Sequence, residues 1–158
     1  MVTAFTWPVR IYFEDTDAGG VVFYGNYLKF YERARTEWLR SLGISQQLLD
    51  EQLHILFVVK NVSVEYKRPA VLDDYLEVTA EIAEIKGASL VFEQHVRRGN
   101  TLLSSAKTTI VCVNRDKMRP VPIPKAVSEK MHAVLAGGKR VNPSETVPVF
   151  ERALIPTT

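Results

Sequence analysis

The spacing of apolar residues changes period along this chain. "WPVRIYF", Trp7 to Phe13, is rich in β-branched and aromatic residues and predicts a first strand. After Asn26 the spacing lengthens. Tyr27, Tyr31, Ala34, Trp38 and Leu42 recur every three or four residues, which predicts a helix with one apolar face that Leu28 and Leu39 widen. Glu32, Arg33, Glu37 and Arg40 supply charge pairs beside that face. Asn26 is placed to cap the helix and Gly43 to stop it. A short second helical piece is expected over Ser45 to Gln52.

After residue 54 the period falls to two. "HILFVVKNVSVEYKRPA" predicts a long strand ending at Pro69, and "LDDY" a turn. "LEVTAEIAEI" then alternates, with Leu76, Val78, Ala80 and Ile82 on one face and Glu77, Thr79 and Glu81 on the other. "LVFEQHVRR" and "TLLSSAKTTIVCVN" come next, after turns at "KGAS" and "GN". Turns near residues 73, 87 and 99 suit an antiparallel meander. A last helix is expected between Pro124 and Gly137, with Val127, Met131, Val134 and Leu135 inward. From Lys139, Pro143, Pro148 and Pro156 break regularity, which predicts a loose tail whose segment Val147 to Phe150 can dock as an edge strand. The expected organisation is one α+β domain over residues 1–138, a single helix against one curved antiparallel sheet, and a C-terminal tail over 139–158. Such a sheet leaves two edges, and edges commonly pair in a dimer.

Composition narrows the function. The chain has 158 residues, 46% apolar and 24% charged, ordinary for a globular domain with its own core. A net charge of +2, with Lys and Arg never clustered beyond a pair, gives no ground for nucleic-acid binding. Nothing approaches the roughly 18 consecutive apolar residues of a membrane span. Met1 to Pro8 lack the regions of a signal peptide, and one cysteine, Cys112, permits neither an internal disulfide nor a Cys-rich metal site. A cytoplasmic protein is expected.

The candidate chemistry lies in "EDTDAGGVVFYGNY", Glu14 to Tyr27, where acids and glycines crowd between strand and helix. Asp15 and Asp17 point the same way if the segment is extended. As plain loop acids, they would be solvated, with Asp17 forming an Asx turn. A functional role gains support from the residues on their C-terminal side. Gly19-Gly20 lets backbone approach a ligand, and Val21 to Tyr24 runs into the helix that the sheet should enclose. A helix N-terminus offers unpaired N–H groups and a positive dipole end, which stabilise an oxyanion. A carboxylate beside such a site can attack a carbonyl or activate water, so acyl transfer is the reaction class indicated.

Other nucleophiles and ligands are weaker. Cys112 falls within an alternating strand and reads as core. His54, His95 and His132 have no metal-ligand spacing, and no metal site is expected. There is no Gly-x-Ser-x-Gly elbow and no phosphate-binding glycine loop. For an anionic group on the substrate, cations stand at strand ends and turns, among them Arg68, Lys86, Arg97 and Arg98. For any single one of these, a solvated turn charge is the stronger reading.

These residues resemble the hotdog-fold acyl-CoA thioesterases, specifically the 4-hydroxybenzoyl-CoA thioesterase family. "EDTDAGGVVFYGNYLKFYERAR" looks like that family's signature loop and helix start. "VEYKRPAVLDDYLEV", "GASLVFEQ", "LLSSAKTTIVCVN" and "KMRPVPIP" look like its branch found with the bacterial tol-pal cell-envelope system. The resemblance runs from about Val9 to Lys125. Phe13 and Tyr24 stand where that branch often has Tyr and His, and both look more like the 4-hydroxybenzoyl-CoA branch.

The resemblance implies a five-stranded antiparallel sheet of order 1-3-4-5-2 wrapped around a long central helix. It implies a homodimer with active sites between subunits, often a dimer of dimers. On the motif, the essential carboxylate falls on Asp17 and the backbone donor to the thioester oxygen on the Tyr24 N–H. Glu32 matches a helix position that is acidic in some members, with substrate contact and water orientation as its candidate roles. Coenzyme A enters as part of the substrate, and no cofactor is implied. Gly20 opens the approach; Tyr27, Tyr31, Val58 and Val59 are candidates for the acyl pocket, with core packing as the equal alternative. Arg68, Lys86 and Arg97 are the candidates for the CoA phosphates, and acyl carrier protein is a possible second donor. The expected activity is hydrolysis of acyl-CoA, with Asp17 as nucleophile or general base. The alternatives are a non-catalytic module binding acyl thioesters or acyl carrier protein, and a hotdog hydratase or dehydratase. The latter generally needs a histidine, which this loop lacks.

Overall fold

The computed structural model describes residues 5–135. Its elements run β1 (Phe5–Arg10), α1 (Tyr24–Ser41), α2 (Gln46–Leu48), β2 (Ile55–Tyr66), β3 (Tyr75–Lys86), β4 (Ser89–Arg98), β5 (Thr101–Asn114) and α3 (Lys125–Leu135). All strand pairs are antiparallel, in the order β1-β3-β4-β5-β2. This is the α+β arrangement and strand order expected, with β1 and β2 as the open edges. The expected tail, including Val147 to Phe150, lies outside the described residues.

Alternation in the strands turns one face of the sheet toward α1. Leu76, Val78, Ala80 and Ile82 are buried on β3, with Leu90, Phe92, Gln94 and Val96 on β4. α1 answers with Tyr27, Phe30, Tyr31, Ala34, Trp38 and Leu39, all buried. Trp38 meets Phe92 edge-on with ring centroids 5.3 Å apart, and α3 closes the far end with Val127, Met131 and Val134. Each large apolar side chain of this set, fully buried, contributes about 1.5–3 kcal/mol, so the helix is held by its inward stripe. Gly43 ends α1 as expected. At φ +85° it takes the left-handed position, its N–H donates to the Arg40 carbonyl at 2.8 Å, and the Ile44 N–H returns to Leu39 at 3.0 Å.

Five local expectations are corrected. β1 stops at Arg10, because the Tyr12 N–H donates to Asp15 Oδ2 at 2.8 Å and turns the chain into a 3-10 turn over Phe13–Asp15, leaving Phe13 80% exposed. Leu28 lies off the buried stripe of α1 and is 43% exposed; Phe30 is buried on the stripe that Leu28 was expected to widen. Leu135, at the last turn of α3, is 48% exposed. β2 ends at Tyr66, short of Pro69, because the Lys67 and Arg68 N–H groups both turn to the Leu103 carbonyl at 2.8 and 3.1 Å. Asn26 is not the cap: α1 begins at Tyr24 with Phe23 at the cap position and no side-chain cap bond.

Candidate active site

The acidic loop is a built turn. Thr16 and Val22 pair across it, the Asp17 N–H donates to the Val21 carbonyl at 2.8 Å, and the Gly20 N–H closes on the Asp17 carbonyl at 3.0 Å. Gly20 sits at φ +82°, which glycine adopts without steric cost. Asp17 Oδ1 accepts the Gly19 N–H at 2.8 Å, the Asx turn of the plainer reading. That bond fixes the carboxylate's direction and engages one oxygen, and the side chain is exposed.

Asp15 orders the loop. Its carboxylate holds the Tyr12 N–H, while its carbonyl accepts the Phe23 N–H at 3.1 Å and Asn26 Nδ2 at 2.9 Å. The side chain that would have capped α1 therefore serves as an anchor. The first turn also lacks an acidic residue. The Phe23 carbonyl takes the Asn26 N–H at 2.9 Å, so the Tyr24 and Gly25 N–H groups precede the first intrahelical acceptor and stay available to a ligand.

Three tyrosines form one wall beside this helix start. Tyr66, the last residue of β2, donates its phenol to the Tyr24 carbonyl at 3.1 Å. Its ring stands edge-on to Tyr27 at 5.2 Å and to Tyr24 at 6.0 Å. Tyr27 is buried and accepts the Ala70 N–H at 3.1 Å. Burial raises the pKa of both Tyr27 and Tyr66, so both phenols stay protonated at neutral pH. The chain after β2 is stitched to the loop by Val22 N–H to the Ala70 carbonyl, at 2.8 Å, and by a bridge between Val21 and Val71. Arg98 steadies this connection, with Nη1 2.7 Å from Asp74 Oδ2 and 3.3 Å from the Pro69 carbonyl.

These elements enclose a cleft of about 290 Å³ lined by Asp17, Val21, Val22, Tyr24, Tyr27, Tyr66, Lys67, Arg68 and Pro69. Four residues singled out in the sequence, Asp17, Tyr24, Tyr27 and Arg68, thus share one cleft, and Gly20 shapes its turn. Tyr24 is 64% exposed and stands at the rim of the cleft. No histidine lines the cleft, and no group of three His, Cys, Asp or Glu among the described residues is arranged to hold a metal ion.

The other candidates lie elsewhere. A separate cavity of about 130 Å³, further along α1, is lined in part by Glu32, Arg35, Phe57, Val59 and Phe92. Tyr31 is fully buried, lines neither the cleft nor this cavity, and donates to Ser104 Oγ at 2.7 Å. A bulge at Lys60 shifts the β2–β5 register between Val59 and Asn61. Phe57 and Val59 pair with Cys112 and Ile110 on the buried face, while Val58 pairs with Val111 and faces outward, away from that cavity. Arg68 and Arg97 flank the start of β5, where Arg97 opposes Leu102. Lys86 is in the β3–β4 hairpin at the other end of β4, about 26 Å from Arg97 along the strand.

Two features escaped sequence reading. Tyr66 comes after Val62 and Val64 in ordinary alternation, and only the folded chain brings it to Tyr24. The second is a polar pair under the helix. Gln94, fully buried, donates to the Tyr31 and Thr79 carbonyls at 3.0 and 3.1 Å and accepts from Arg35 Nη1 at 3.0 Å. Burial lowers the Arg35 pKa, partly offset by Glu32 one turn away.

The chain has relatives among known thioesterases. A family model described as the thioesterase superfamily matches residues 19–105, from the glycine turn to the start of β5. An acyl-CoA thioesterase YbgC of Haemophilus influenzae is 49% identical over 81% of this chain and 94% of its own length. An acyl-CoA thioester hydrolase YbgC of Escherichia coli O6:H1 is 52% identical over 79% of this chain and 93% of its own. Among solved structures, a probable thioesterase of Bartonella henselae superposes with a TM-score of 0.74 at 33% identity, covering 77% of this chain and 100% of that one. The antiparallel sheet with a helix against it is the hotdog arrangement of such structures.

Proposed function

The chain belongs to the thioesterase superfamily and is a thioester hydrolase, and from that premise we propose that it hydrolyses acyl-CoA to the free acid and CoA, with Asp17 as the reacting carboxylate and the Tyr24 N–H as the oxyanion donor. One observation carries the reading: Asp17 and the uncapped start of α1 line the same cleft.

Those two groups supply the chemistry. The thioester carbonyl oxygen lies against the Tyr24 N–H, where the dipole end of α1 adds polarisation. In one route Asp17 takes a proton from water, the water oxygen bonds to the carbonyl carbon, and the oxyanion gathers its charge on the helix end. Collapse breaks the C–S bond, and the thiolate leaves and takes up a proton. In the other route a carboxylate oxygen of Asp17 bonds to that carbon, the thiolate leaves, and water cleaves the resulting anhydride. The Gly19 N–H serves either route by holding Oδ1, which leaves Oδ2 to act.

Arg68, on the cleft, is the cation best supported for the CoA phosphates, with Arg97 next and Lys86 least supported by its distance. Tyr27 bounds the acyl side of the cleft, and Glu32 and Val59 line the further cavity. The reading includes a homodimer, assembled further into a dimer of dimers, that completes the acyl pocket. The open edge β2 supports pairing: its buried-face residues Val59 and Val62 stay 50% and 40% exposed in the single chain. The proposed setting is the cytoplasm, with acyl carrier protein as a second donor. No helix among the described residues is long and apolar enough to cross a membrane. Thiol release from a panel of CoA esters, short aliphatic to aromatic, tests the activity; turnover is expected on at least one class, and silence across the panel contradicts the reading.

A further inference from the structure

We propose that Tyr66 is a positioning residue for thioester hydrolysis: its phenol, bound to the Tyr24 carbonyl, holds the first turn of α1 so that the Tyr24 N–H keeps its aim into the cleft. The inference rests on the proposed role of that N–H as oxyanion donor.

The helix start is loosely built from its own residues. It has no side-chain cap bond and no acid in its first turn. Its second residue is Gly25, the softest backbone available. A Cβ there would come within 2.5 Å of the Phe23 ring. These features suit a ligand site, because a cap would take the N–H groups that the substrate needs. They also leave the turn free to fray, since little within it resists rotation about Gly25.

Restraint therefore comes from outside the helix. Asp15 holds the Phe23 N–H and the Asn26 side chain, which fixes the cap residue and the third position. The peptide between Tyr24 and Gly25 is secured by Tyr66, at 3.1 Å from the Tyr24 carbonyl. Tyr66 is suited to this. It ends β2, which is paired with β5 from Ile55 to Tyr66, so its Cα is fixed by the sheet. Its ring is braced edge-on by Tyr27 at 5.2 Å, and Tyr27 is itself held by the Ala70 N–H at 3.1 Å. The phenol stays protonated and can only be the donor to a carbonyl. Anchored at the sheet and braced along the ring, the hydroxyl holds the Tyr24–Gly25 peptide, one Cα from the Phe23–Tyr24 peptide that carries the donor N–H, and so restrains the ψ side of Tyr24.

Tyr66→Phe removes the hydroxyl and keeps the ring. The expected result is a fall in kcat of about tenfold, smaller than the loss on deleting an oxyanion donor, with KM within about twofold and an unchanged Tm. Amide exchange at Leu28, whose N–H closes on the Tyr24 carbonyl in an α-helix, should quicken about fivefold. A kcat within about twofold of wild type overturns the proposal. So does a drop in Tm that accounts for the lost activity, since that is a structural effect of the ring cluster. Should the wild type release no thiol from any CoA ester, the thioester reading fails, and Leu28 exchange still decides the clamp. Exchange equal to wild type then overturns it.

Discussion

Asn26 Nδ2 donates to the Asp15 carbonyl at 2.9 Å, across eleven residues of chain, and so anchors the central helix to the acidic loop. An asparagine here would ordinarily cap the helix. Used as an anchor, it leaves the first N–H groups of α1 open and fixes the loop that carries Asp17 relative to them. Asn26→Ala should lower stability by about 1 kcal/mol, the worth of one such bond. It should lower kcat/KM more than any surface alanine on α1 does. Thermal unfolding and steady-state kinetics on the same variant check both; unchanged kinetics would mean the anchor has no bearing on the site.

Gln94 and Arg35 form a unit under the helix. Gln94→Leu deprives a desolvated guanidinium of its acceptor and two backbone carbonyls of their donor, so a loss of about 2–3 kcal/mol is expected. The double variant Arg35→Met/Gln94→Leu should lose clearly less than the sum of the two single variants, since no charge is then left unpaired. Urea denaturation of the three variants measures the coupling, and strict additivity would show that the two side chains act independently.

Burial pushes the Tyr31 phenol well above the ordinary value of about 10, and its hydrogen bond to Ser104 offsets this only in part. The proton count sets the sign. Above pH of about 10 the unfolded chain loses this proton first, so stability is full below that pH and is lost as pH rises toward the folded value. Tyr31→Phe should flatten the fall in urea midpoint above about pH 10. An equally steep fall in the variant would assign the alkaline loss to other groups.

How far the fold was legible depends on how local each determinant is. β5 runs over Thr101–Asn114, as the pattern predicts, because a glycine turn precedes it, although the register against β4 shifts at Leu103. β2 was less legible. Val58 and Val59 take opposite faces by plain alternation, and the bulge at Lys60 then resets the parity so that Val62, Val64 and Tyr66 return to the inner face. The start of α1 was misread for a related reason. Asn26 has a cap's chemistry, and the partner that draws it away lies in the loop before it. Asp17, Tyr24, Tyr27 and Arg68 could be singled out early because a contiguous loop-to-helix signature and a family resemblance carry them. Tyr66 and the Arg35–Gln94 pair could not. Their partners lie 42 and 59 residues away and meet only when β2 and β4 join the sheet.

Hydrolysis by this route stands or falls with the Asp17 carboxylate, and thiol release from acyl-CoA by Asp17→Asn tests it most directly. Cys112 does not disturb such an assay, being fully buried with its thiol pushed up to about 11. The substitution keeps an oxygen for the Gly19 N–H and removes the base or nucleophile. The predicted result is a fall in turnover of at least about a hundredfold, with acyl-CoA binding and thermal stability close to wild type. Turnover near the wild-type rate would contradict the assignment of Asp17 and, with it, the proposed mechanism.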